Sequence, residues 1–97
     1  MRRKYLLSDK EFWIEVISFE NISYNPIYAD YISASGLKKY IKSTQVNEIF
    51  ITSTLPNVYI QANDRLFLLS YRPFLSFLSN LYEIEDCVKL NWMIDGF

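Results

Sequence analysis

The chain of 97 residues contains no histidine and one cysteine, Cys87. Without imidazole, a single chain cannot assemble a Ser-His-Asp triad, a Cys-His dyad or the common Cys/His zinc sites. One thiol cannot close an internal disulfide. Cys87 follows Glu85 and Asp86, whose charges disfavour a thiolate, so it reads as inert. No metal or cofactor is expected, and the chain is not expected to be an enzyme. Long apolar runs are also missing. None approaches the ~20 residues that a membrane-spanning helix needs. The opening "MRRKYLL" starts like a secretion signal, but "SDKE" at 8–11 interrupts it before an apolar region forms. A reducing cytoplasm is the expected setting.

Charge of one sign is missing too. Ten basic residues face eleven acidic ones, for a net charge of −1. Dedicated nucleic-acid binders usually carry a basic excess, because phosphate neutralisation supplies their affinity. The signature of an RNA-recognition sheet is absent, and "SASGLKK" at 33–39 lacks the spacing of a P-loop. Two glycines and three prolines leave few tight turns, so most of the chain should lie in regular elements. Abundant Ile, Asn, Lys, Tyr and Ser with little Gly or Ala suit an AT-rich coding sequence of bacterial, mobile-element or phage origin.

What is present is core-forming. Half of the chain is hydrophobic and 18% is aromatic, which excludes disorder. Division into two units would leave each too small to bury a core, so residues 1–97 read as a single globular domain.

Residues 12–19, "FWIEVISF", are dense in β-branched and aromatic side chains and favour a strand. A helix stays open there, since Ser8 and Glu11 fit a capping box. With the strand, "LLSDKEFW" becomes a hairpin turn. Segment 20–35 has no clean period. Asn25-Pro26 can start one helical turn within it. Residues 36–44 read as a short helix capped by Ser35, with Leu37, Tyr40 and Ile41 on one face and Lys38, Lys39 and Lys42 on the other. "VNEIFITST" at 46–54 reads as a central strand. "VYIQA-ND-RLFLLSY" reads as a hairpin about Asn63-Asp64, pairing Ala62 with Arg65, Ile60 with Phe67 and Val58 with Leu69.

"RPFLSFLSNLYEI", residues 72–84, places Phe74, Leu75, Phe77, Leu78, Leu81, Tyr82 and Ile84 on about half of a helical wheel. Ser76, Ser79, Asn80 and Glu83 fill the rest. The spacing predicts one long helix over about 73–84, wide enough to pack centrally or to leave a flank for a partner. Residues 86–95 alternate and read as a half-buried strand. Trp13 and Trp92 fall on apolar faces and are expected in the core. The fold class is therefore α+β: a single domain with a mostly antiparallel sheet of four to five strands, a long helix at about 73–84 and a short one at about 36–44.

Eight tyrosines occur, and Tyr24, Tyr28 and Tyr31 fall in the least regular segment. Tyrosine supplies contact area at low entropic cost and is enriched at interfaces. Glu83, Glu85 and Asp86 follow the long helix, where acids oppose the macrodipole and so point to a use outside the fold. Tyr24, Tyr28, Asp30, Tyr31, Glu83, Glu85 and Asp86 are the candidate contacts for another protein. Acids suit a basic partner such as a nuclease or toxin. The leading functional expectation is a small binding protein that inhibits or regulates another protein, as an immunity protein, an antitoxin or a phage-encoded inhibitor of a host defence enzyme would. One alternative is a nucleic-acid contact through Arg2, Arg3, Lys4, Lys38, Lys39 and Lys42, which requires those residues to share one face. Another is an oligomeric structural subunit built on the wide helix and an open strand edge.

Overall fold

A computed structural model describes residues 2–84 of the chain. The first two strands, β1 (Arg2–Leu7) and β2 (Lys10–Val16), form an antiparallel hairpin. Its loop is Ser8-Asp9, with Ser8 in the left-handed region at φ 57°. The capping-box reading of Ser8 and Glu11 thus gives way to the strand. A short strand β3 (Asp30–Tyr31) precedes helix α1 (Ala34–Ser43). Strands β4 (Glu48–Thr54), β5 (Asn57–Ala62) and β6 (Arg65–Ser70) follow as the expected meander. Helix α2 (Tyr71–Leu78) and strand β7 (Tyr82–Glu83) complete the described elements.

All seven strands join one sheet in the order β3-β6-β5-β4-β2-β1-β7. The α+β class holds, but the sheet is larger and more mixed than expected. β2 runs parallel to β4, and β3 runs parallel to β6. A parallel neighbour needs a crossover, and α1 lies within the connection between β2 and β4. The strand expected at 86–95, with Cys87, Trp92 and the contacts Glu85 and Asp86, lies outside the described residues.

Alternation assigns the two faces. Tyr5, Leu7, Phe12, Ile14, Ile49, Ile51, Val58, Ile60, Phe67 and Leu69 point to the face that meets Leu37 and Ile41 of α1 and Phe74, Phe77 and Leu78 of α2. Each of these side chains is buried, and together they form the main core. The β5–β6 register matches the sequence reading residue for residue. β4 is the middle strand, and its Ile49, Ile51 and Thr52 are all buried.

The helices depart from expectation at their ends. α1 starts at Ala34, because the Ser33 hydroxyl, not that of Ser35, accepts from the Gly36 amide at 3.0 Å. At ten residues it exceeds the eight of α2. α2 stops at Leu78. Ser79 Oγ and Asn80 Nδ2 both donate to the Ser76 carbonyl, at 2.7 and 2.8 Å. The Asn80 and Leu81 amides close tight turns onto Phe77 and Leu78. Tyr82 and Glu83 then pair with Leu6 and Tyr5 as an edge strand, and the Ile84 amide reaches the Lys4 carbonyl at 3.0 Å. Local periodicity favoured six more helical residues, to Ile84, but the unpaired edge of β1 offered backbone hydrogen bonds, and the edge won. The apolar flank contemplated for a long helix therefore does not exist as a helix face.

Trp13 is also corrected. It lies on the sheet face opposite the helices and is half-buried, with the Arg2 guanidinium carbon 4.0 Å from a ring centroid and Lys4 Nζ at 5.4 Å. It is a platform for cations.

Candidate protein-binding surface

Leu66 and Leu68 alternate with the core residues of β6 and so point away from the helices, yet both are buried. Segment 17–31 accounts for this. It leaves β2 with the Ile17 amide bonded to the Ile51 carbonyl at 2.9 Å. A 3-10 turn at Phe19–Asn21 sets Phe19 edge-on to Tyr59, with centroids 5.5 Å apart. The Ser23 amide donates to Gln61 Oε1 at 2.8 Å. Tyr59 stands opposite Leu68 in the ladder, and Gln61 stands opposite Leu66. The segment therefore crosses the outer face of β5 and β6. Burial of the two leucines, worth about 1.5–3 kcal/mol each, holds it there.

The Tyr24 hydroxyl makes a long hydrogen bond, 3.5 Å, to the Asn63 carbonyl. Asn25 caps a second 3-10 turn at Pro26–Tyr28, its side chain accepting from the Ile27 amide at 3.1 Å. This is the turn that Asn25-Pro26 announces in the sequence. Asp30 and Tyr31 then pair with Phe67 and Leu68, and the Ile32 amide bonds to the Leu68 carbonyl.

The backbone is tied to the sheet at both ends, but three large side chains between are not used inward. Ile27, Tyr28 and Tyr31 are 81%, 77% and 76% exposed. Tyr31 pairs with Leu68 and shares its outward face. Three large side chains within five residues thus form an exposed apolar ridge on a fixed backbone. A ridge of this kind gives the fold nothing, and contiguous exposed apolar surface marks binding sites.

The electrostatics are acidic. Residues 17–36 include Glu20 and Asp30 and no lysine or arginine. Hydrogen bonds from its own backbone N–H and from the Ser18 hydroxyl hold the Glu20 carboxyl below its ordinary range, so it is charged at neutral pH. Asp30 pairs with Arg65 at 2.9 Å, an exposed pair that costs the ridge little freedom. Exposed Asp64 adjoins Asn63, where Tyr24 docks.

Of the contacts expected from sequence, Tyr24, Tyr28, Asp30 and Tyr31 come together here. Glu83 does not. It sits on β7 at the opposite edge of the sheet from β3. Its side chain is 2% exposed, and its Oε1 accepts from Arg3 Nη1 at 2.7 Å. Its carboxylate is thus spent inside the protein. Ile27, the most exposed of the ridge residues, is not among the contacts expected from sequence, which are tyrosines and acids; an isoleucine directly after the Asn25-Pro26 turn start was the available signal.

The six cations of the nucleic-acid alternative do not converge. Arg2 pairs with Glu48, Arg3 with Glu83 and Lys4 with Glu11. Arg2 and Lys4 lie on the outward face beside Trp13, whereas Lys38, Lys39 and Lys42 belong to α1 on the other side of the sheet. Among the described residues no group of three carboxylates or thiols could hold a metal ion. No described helix is long and apolar enough to cross a membrane.

Gln61 tests how the ridge is held. Gln61→Ala removes the acceptor of the Ser23 amide and is expected to cost about 1 kcal/mol. Amide exchange at Ser23 should accelerate while Ile51 and Ile60 stay protected. Equal acceleration throughout would mean that Gln61 supports the whole sheet rather than this segment.

No family model, curated protein or solved structure matches the chain.

Proposed function

We propose that this chain acts by binding, without turnover, and that its target is a protein with a basic surface, which it inhibits or regulates. The carrying observation is the ridge of Ile27, Tyr28 and Tyr31, largely exposed to solvent on a backbone anchored to the sheet. Preorganised aromatic contacts lose little entropy on binding, and such residues dominate interface energetics. Glu20 and Asp64 are exposed, neither is in an ion pair among the described residues, and such acids would speed encounter with a cationic surface. An immunity protein, an antitoxin or a phage-encoded inhibitor acting on a basic enzyme fits this reading. The oligomeric alternative draws less support, because the edge strands β3 and β7 are only two residues long and make poor templates for sheet extension.

The test is a comparative capture from the native host. The wild-type chain should retain a partner that Tyr28→Ala/Tyr31→Ala loses, with affinity falling roughly hundredfold. Wild type and the double variant should melt together, since neither ring supports the core. A partner kept by the double variant would refute the ridge. Wild-type self-association that the variant abolishes would identify a second copy as the occupant and refute the separate partner.

A further inference from the structure

A second feature lies on the helix side of the sheet, away from the ridge. Lys38, Lys39, Lys42, Ser35 and Ser43 of α1 meet Leu7 and Ser8 of the first hairpin and Asn80 beyond α2 around a groove of about 420 Å³. From sequence the lysine face of α1 reads as a solvated surface, with a phosphate or nucleic-acid contact through Ser33, Ser35, Lys38 and Lys39 as the lesser reading. The fold instead makes it one wall of a concavity closed by two other elements.

Among the described residues no carboxylate lines this groove; Asp9 follows Ser8 on the turn but is not part of the wall. Elsewhere the cations divide: Lys10 and Arg72 have no ion pair among the described residues, but four others do. Arg2, Arg3, Lys4 and Arg65 each have a carboxylate within 3.2 Å. Lys38, Lys39 and Lys42 have none among the described residues. Lys38 and Lys42 stand one turn apart, where like charges oppose helix formation. Lys42 is in the last turn and is favoured by the helix dipole, but Lys38 and Lys39 are not there. Three uncompensated charges held round one groove, with Ser8 and Asn80 beside them, ask for an anion from outside.

We propose that this groove binds a small ligand bearing two or more phosphoryl groups. Lysine ammonium groups are point-charge donors suited to phosphate, and the volume falls in the small-molecule range. A nucleic-acid strand is disfavoured. It needs a basic track, and Arg2 and Lys4 lie on the opposite face.

The test is a two-dimensional amide NMR titration with inorganic pyrophosphate at constant ionic strength. Saturable shifts are expected at Ser8, Ser35, Lys38 to Ser43 and Asn80. Lys38→Gln/Lys42→Gln should weaken binding at least tenfold, while Arg65→Gln, outside this groove, leaves it unchanged. Melting temperatures establish that the variants fold. Shifts that sodium chloride reproduces, or that survive the double substitution, would overturn the site. In a third arm, 5′-phosphorylated oligonucleotides of increasing length are titrated. Affinity independent of length supports recognition of the phosphoryl group; affinity that climbs with length would overturn the small-ligand assignment in favour of a polymer.

Discussion

Phe77→Ala is expected to remove about 3–5 kcal/mol of stability. The ring is fully buried in the main core, on the face of α2 that meets α1 and the sheet. Deleting it forfeits the transfer energy of the ring and leaves a cavity between two layers. The sheet cannot collapse into that cavity without breaking ladder bonds in β5 or β6, so the cost should sit toward the upper end. A domain of this size has only about 5–15 kcal/mol in total. Urea unfolding should therefore show the midpoint falling sharply with an unchanged slope. Phe77→Leu, which keeps most of the volume, should cost less than about 1.5 kcal/mol and guards against a variant too unstable to measure. Tyr28→Ala, at an exposed position, should stay within about 0.5 kcal/mol of wild type. Similar losses at positions 77 and 28 would mean that the packing described here is wrong.

Arg3→Ala is expected to cost roughly 3 kcal/mol, for a different reason. It leaves the Glu83 carboxylate, 2% exposed, without its counter-charge at 2.7 Å. Arg3 itself retains 23% exposure, so water offsets part of the loss. The diagnostic is the double variant Arg3→Ala/Glu83→Ala. It should be more stable than Arg3→Ala alone, because no stranded charge remains. Additive losses would mean that the two side chains act independently and that the pair does not pin β7 to β1.

The candidate surface was partly legible in advance. Three tyrosines in an aperiodic stretch pointed to segment 24–31, and the segment does present two of them outward. Asn25-Pro26 announced the turn that carries them. Sequence could not show which rings would anchor. Phe19 and Tyr24 face the sheet because Tyr59 and Asn63 lie beneath them, a match made by chain crossing and not by spacing. Glu83 read as a surface acid because it followed an imagined helix. It became an interior ion pair once β7 formed. The lysines of α1 could be read as an anion contact, but the groove itself could not, because its other wall comes from residues 7–8 and 80.

The sequence by itself determined whatever rests on short-range pattern. Two β-rich runs and the two-residue Asn-Asp loop between them specify the β5–β6 register. An apolar stripe against lysines specifies α1, and a chain without imidazole forgoes histidine chemistry wherever it folds. Only the tertiary structure decided where α2 stops, which strands run parallel, and that Trp13 stands under an arginine outside the core. Those outcomes depend on backbone edges seeking partners far along the chain, and a hydrogen bond between Lys4 and Ile84 leaves no trace in the residues on either side.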